Sequence, residues 1–81
     1  MLDATKTEPD LEGFMRLEAV AALLDVSTRH VERLDATQRL PRAIKIGRSK
    51  RWHRGTMLEY LAESRQRGRL LTREEWDALS R

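Results

Sequence analysis

The densest chemistry in this 81-residue chain is a run of cations. From Ala36 through Leu58 the sequence holds Arg39, Arg42, Lys45, Arg48, Lys50, Arg51 and Arg54 and no carboxylate. Within it, IKIGRSKRWHR at 44–54 sets two short β-prone pieces on either side of a glycine-led tip of Arg48, Ser49, Lys50 and Arg51. Long cationic side chains on a tight turn suit the phosphates of a polyanion, because each neutralised phosphate releases condensed counterions. A second group precedes the run. Thr28, Arg29, Glu32 and Arg33 are spaced to share one side of a helix. There an arginine can donate to O6 and N7 of guanine, and a glutamate can accept from the N4 amino group of cytosine. Glu32 has an equal alternative, holding Arg29 and Arg33 in position, and Asp35 is a further local partner for these arginines.

Other chemistries find no footing. His30 and His53 are the only histidines and no cysteine accompanies them, so a metal site is not expected. Glu74 and Glu75 are adjacent, so on a helix they diverge and suit its N-terminus rather than acid–base work. No nucleophile has a partnered base, and no glycine-rich phosphate loop is present. The expectation is a binding protein without cofactor or small-molecule substrate, not an enzyme.

The charge is concentrated in the middle of the chain. Formal net charge is +3 with a pI near 10.0, but residues 1–26 sum to −4, residues 27–58 to +7 and residues 59–81 to zero. A central basic block points to nucleic acid more directly than the total does. The absence of cysteine agrees with a reducing compartment, and the polar, acidic start MLDATKTEPDLEG lacks the features of a signal peptide or membrane span. A soluble cytoplasmic protein is expected, with residues 1–13 as a flexible acidic arm.

These groups need elements to position them. Leu17, Val20, Ala21 and Leu24 follow i, i+3, i+4, i+7 spacing and predict a helix over 17–24. Asp25 tolerates a left-handed backbone, Ser27 is a good N-cap, and a second helix should begin at Thr28. Its core side is Val31, Leu34 and the stem of Gln38; Arg29, Glu32, Arg33 and Ala36 project outward. Leu40-Pro41 ends it. Ala43–Ile46 and Arg51–His53 then read as a hairpin with a turn at Gly47–Lys50, and Trp52 is expected in the core. A third helix is predicted over Thr56–Glu63 from Met57, Leu58 and Leu61, with Tyr60 near its edge. After a break at Gly68, Thr72 and Glu75 form a capping-box pattern for a short last helix.

Two helices joined by a three-residue turn, then a basic hairpin, give a mainly α fold with a small β-hairpin: a winged helix-turn-helix. Base readout would come from Thr28, Arg29, Glu32 and Arg33. Positioning on the backbone would come from Arg39, Lys45, Arg48, Lys50 and Arg51, with Ser49 in the tip. The stretches V-A-x-L-L-x-V-S (20–27), V-x-R-L (31–34), L-P (40–41), I-x-I-G (44–47), R-W (51–52) and L-x-x-L-A (58–62) stand in an order that resembles the excisionase and AlpA-type winged helix-turn-helix family, distantly similar to MerR-like DNA-binding domains. The resemblance covers about residues 14–62. It implies a small protein that binds double-stranded DNA, either as a recombination directionality factor working with an integrase or as a transcriptional regulator. Asp25 and Gln38 stand where such sequences often place glycine, and Arg54 stands where a Ser or Asp cap is usual, leaving the third helix with no obvious side-chain cap.

The resulting division is an arm (1–13), a DNA-binding domain (14–65) and a C-terminal extension (66–81). Leu70, Leu71, Trp76 and Leu79 in the extension have two readings: docking on the domain's own core, or contact with a recombinase or a second copy on an adjacent site. A rival overall reading makes the chain a protein-interaction adaptor docking through this surface, with DNA binding incidental.

Overall fold

Two helix ends closed by residues other than glycine shape the N-terminal half. The computed structural model describes residues 13–79, so residues 1–12 of the expected arm, and Ser80 and Arg81, lie outside the described residues. Helix α1 runs over Leu17–Leu24 and α2 over Thr28–Ala36; periodicity and capping predict both bounds of α1 and the start of α2, but α2 stops at Ala36, short of the expected end at Leu40-Pro41. Asp25 (φ 59°) and Gln38 (φ 60°) both turn left-handed. At each, successive backbone N–H groups return to the helix just ended: Val26 to Ala21 and Asp25 to Ala22, Arg39 to Leu34 and Gln38 to Asp35. These are the carbonyls that a helix C-terminus otherwise leaves without partners. The left-handed turn carries Gln38 out of α2 into solvent, so its stem is not part of the core side.

The sheet is three-stranded and antiparallel. β1 (Phe14–Met15), β2 (Ile44–Ile46) and β3 (Ser49–His53) lie in the order β1-β3-β2. β1 was not predicted, since two residues carry no period, yet Met15 opposite Trp52 and Phe14 opposite His53 close one edge of the hairpin. Gly13, assigned to the arm, is already tied in, its carbonyl accepting from Arg54 N–H at 2.7 Å. The hairpin turn is tighter than predicted. Lys45 pairs with Lys50 and Ile46 with Ser49, leaving Gly47 and Arg48 as a two-residue loop. Gly47 at φ 60°, followed by a residue with ordinary φ, matches the signs of a type II′ turn, which needs glycine in that place.

Helix α3 spans Arg54–Arg67, longer at both ends than Thr56–Glu63. The missing cap is His53, whose Nδ1 accepts from Thr56 N–H at 3.2 Å. Its buried stripe is Met57, Tyr60 and Ser64, so Leu58, expected in the core, is exposed, and Tyr60, expected at the edge, is fully buried. Gly68 (φ 73°) ends α3, and α4 covers Arg73–Leu79. Both arms of the capping box form: Glu75 N–H to Thr72 Oγ1 at 3.1 Å and Thr72 N–H to Glu75 Oε1 at 2.9 Å. The line drawn between 65 and 66 therefore falls inside α3.

The core joins every layer: Met15 from β1, Val20 and Ala21 from α1, Val31 from α2, Leu40, Trp52 from β3, Met57 and Tyr60 from α3, and Leu71 from the segment before α4. Trp52 is core, as predicted. Its buried indole N–H finds no acceptor among the described residues, so it contributes through apolar area. No helix among the described residues is long and apolar enough to cross a membrane.

Candidate nucleic-acid interface

The outward face of α2 is set by its inward one. Val31 is fully buried and Leu34 half-buried, which turns Arg29, Glu32, Arg33 and Ala36 to solvent, with Thr28 exposed in the first turn. Ser27 Oγ accepts from His30 N–H at 3.1 Å and fixes the start of the helix. At the other end Thr37 Oγ1 donates to the Arg33 carbonyl at 2.9 Å. The four residues proposed for base readout thus share one capped, well-bounded helix face. His30 is exposed on its flank.

The hairpin stands beside this face. A groove of about 390 Å³ runs between the start of α1 (Arg16, Glu18), the α2 flank (Glu32, Ala36) and the hairpin (Arg48, Lys50). Arg16 was not anticipated here, because it lies in the acidic N-terminal third of the sequence. Arg48 is exposed in the two-residue loop, and Lys45 and Lys50 are direct cross-strand neighbours. Like charges placed opposite one another repel. The structure answers this with a carboxylate from α2: Asp35 Oδ2 accepts from Lys50 Nζ.

That contact corrects one expectation. The basic run has no acid within it, yet Asp35 reaches Lys50 from 15 residues upstream and Asp77 reaches Arg42 from 35 residues downstream, at 2.7 Å. Arg51 corrects another. It is only 6% exposed, with Nη1 donating to the Lys50 carbonyl at 3.2 Å, so it cannot extend to a phosphate as the tip reading required. Strand alternation places its neighbours Lys50 and Trp52 on the opposite face, and Arg51 stays down on its own. Ser49 is half-buried in the strand rather than at the apex. Arg29, Arg33, Arg39, Lys45 and Arg48 are exposed and form no ion pair among the described residues.

The four apolar residues of the extension do not form one exposed surface. Leu71 is fully buried, Leu70 and Trp76 are partly buried against the core, and Leu79 is 47% exposed. Polar contacts fix this docking. Leu71 N–H donates to Ser64 Oγ at 3.2 Å, and Tyr60 Oη serves the carbonyls of Leu71 (2.6 Å) and Arg39. Burial pushes the Tyr60 hydroxyl up to about 12. Trp76 meets Tyr60 edge-on at 5.8 Å. Arg73 clasps the end of α2, with its N–H on Gln38 O at 2.7 Å, Nε on Leu40 O at 2.8 Å and Nη2 on Asp35 Oδ1 at 2.8 Å. Arg69 holds Glu75 in a two-bond pair at 2.9 and 2.8 Å. With the backbone N–H of Thr72, that pair brings the Glu75 carboxyl down to about 2. No family model, curated protein or solved structure matches this chain.

Proposed function

We propose that the chain is a winged helix-turn-helix protein that binds double-stranded DNA in a sequence-dependent way. α1 and α2 form the helix-turn-helix, α2 enters the major groove with Thr28, Arg29, Glu32 and Arg33 toward the bases, and the β2–β3 hairpin is the wing, with Arg48 on the backbone or in the adjacent minor groove. The observation that carries this reading is the juxtaposition of two exposed elements: α2, with Arg29 and Arg33 on its outward face, and the hairpin beside it, with Arg48 at its tip. All three cations are without carboxylate partners among the described residues, while the groove between the elements is lined on the α2 side by Glu32, Asp35 and Ala36. By contrast, Arg69 is held on a carboxylate of its own segment, Glu75.

Selection of bound duplexes from a random pool tests the reading. Enrichment of a defined site supports it, and failure to retain any duplex at low salt overturns it. With Arg51 buried, the backbone contacts number four (Arg39, Lys45, Arg48 and Lys50) rather than five. The expected slope of log K against log[salt] is then about −3.6, and a slope near zero removes the backbone part of the reading. A footprint at the native locus separates the biological roles. Tandem sites beside an integrase attachment site mark a directionality factor, and a site overlapping a promoter marks a transcriptional regulator. A module of this size covers about 600–1,000 Å² of its own surface on DNA, so adjacent copies or a recombinase would supplement its hold.

A further inference from the structure

Lys50 of the hairpin and Arg73 of α4 share the carboxylate of Asp35, one on each oxygen. The two cations are held differently. The Arg73 side chain is 16% exposed and anchored twice more, through Nε on Leu40 O and its own backbone N–H on Gln38 O. The Lys50 side chain is 47% exposed and reaches Asp35 along a flexible stem from the rim of the groove. Asp35, at 11% exposure, is too deeply set to lose every counterion without a large desolvation cost. It has one cation more than it needs. Arg73 alone leaves the pair neutral, so Lys50 carries the surplus charge of the triad.

We propose that Lys50 is a transferable contact: in the free protein it rests on Asp35, and on the duplex it moves to a backbone phosphate while Arg73 keeps Asp35 neutralised. This rests on the DNA-binding reading above. It extends that reading by giving Arg73, on a helix away from the base-reading face, a positioning role in how the wing engages. The exchange is favoured because a half-exposed lysine–carboxylate pair contributes little on its own, whereas a phosphate contact also releases a counterion. No buried charge is stranded by it.

The alternative is that Lys50 stays on Asp35 in the complex as a fixed brace, and a two-by-two set distinguishes them. Salt dependence of duplex binding is measured for the wild type, Lys50→Ala, Asp35→Asn and the double variant. Transfer predicts that Lys50→Ala reduces the slope by about 0.9 in both backgrounds. It also predicts that Asp35→Asn, which removes the resting partner, tightens binding to every duplex about two- to fivefold. A brace predicts no slope change for Lys50→Ala in the wild-type background and a reduction only in the Asp35→Asn background, and that result overturns the proposal. Because Asp35→Asn also loosens Arg73, nitrogen NMR of the unmutated chain provides a second measurement. The Lys50 ammonium resonance should move on adding duplex while Arg73 Nε stays; a stationary Lys50 signal beside shifting Arg29 and Arg33 signals overturns transfer. A wild type that binds no duplex removes the DNA reading and this proposal together, whereas one that binds but fails the two-by-two removes this proposal alone.

Discussion

The α2–hairpin region and the segment from Arg69 to Leu79 are both rich in charge and use it in opposite ways. In the C-terminal segment Arg69 is matched to Glu75, Arg73 to Asp35, and Asp77 to Arg42 of the central block. On α2 and the hairpin, Arg29, Arg33, Lys45 and Arg48 reach solvent with no such match among the described residues. Cation counts do not separate the two regions; carboxylate distance does. In the C-terminal segment the cations are paired within the fold; on α2 and the hairpin these four are left to solvent, and Lys50, held by Asp35, departs from that pattern.

The largest expected break in this comparison is at Leu71. Leu71→Ala should cost about 2–5 kcal/mol in denaturant unfolding, because it empties a fully buried site in the core. Truncation after Gln66 should do at least as much damage. A truncated chain that melts like the full one would show the C-terminal segment to be an appendage, and the contrast between the regions would collapse.

Next in size are changes that leave stability alone. Arg29→Ala or Arg33→Ala should cost about 1–3 kcal/mol on the selected duplex and relax base preference, while Arg48→Ala weakens matched and shuffled duplexes alike. Thermal unfolding should be nearly unchanged in all three, since these side chains are exposed. Competition assays that found base preference altered by Arg48→Ala and untouched by the helix variants would reverse the roles assigned to α2 and the hairpin.

The smallest effect sharpens the paired side. Glu75 titrates near 2 in the folded chain, below its ordinary value of 4.5. Its contribution to stability is therefore complete above pH 4.5 and disappears as the pH falls through 2. Arg69→Ala should raise the Glu75 pKa in a carboxyl-carbon NMR titration and flatten that acid limb. An unchanged titration would mean that the capping N–H of Thr72 alone holds the carboxylate.

Local signals in the sequence proved readable. The bounds of α1, the left-handed turn at Asp25, the Ser27 cap and the Thr72–Glu75 box depend on residues within four positions of one another, so propensity and spacing suffice. The outward face of α2 follows from the same periodicity. What could not be read depends on distant partners. Tyr60 belongs to the core because carbonyls 21 and 11 residues away meet its hydroxyl. The register of Lys45 with Lys50 draws Ser49 and Lys50 out of the turn into β3, and Arg51 is lost to the tip because its side chain is buried along that strand. The role of Asp35 requires Lys50 and Arg73, 15 and 38 residues ahead, and nothing local marks them as partners.

The span of the Asp35–Arg73 bridge also has a kinetic meaning. α1, the turn and α2 close through contacts a few residues apart, whereas this bridge brings together groups 38 positions apart. Ordering so long a loop is slow relative to coiling a helix, which sets the expectation that the clasp forms after the folding transition state. Lesions in it would then act by hastening unfolding far more than by slowing folding. Helix α2 would gain its final anchor last, so the lifetime of the assembled α2–hairpin surface would be governed by how long the C-terminal segment stays docked.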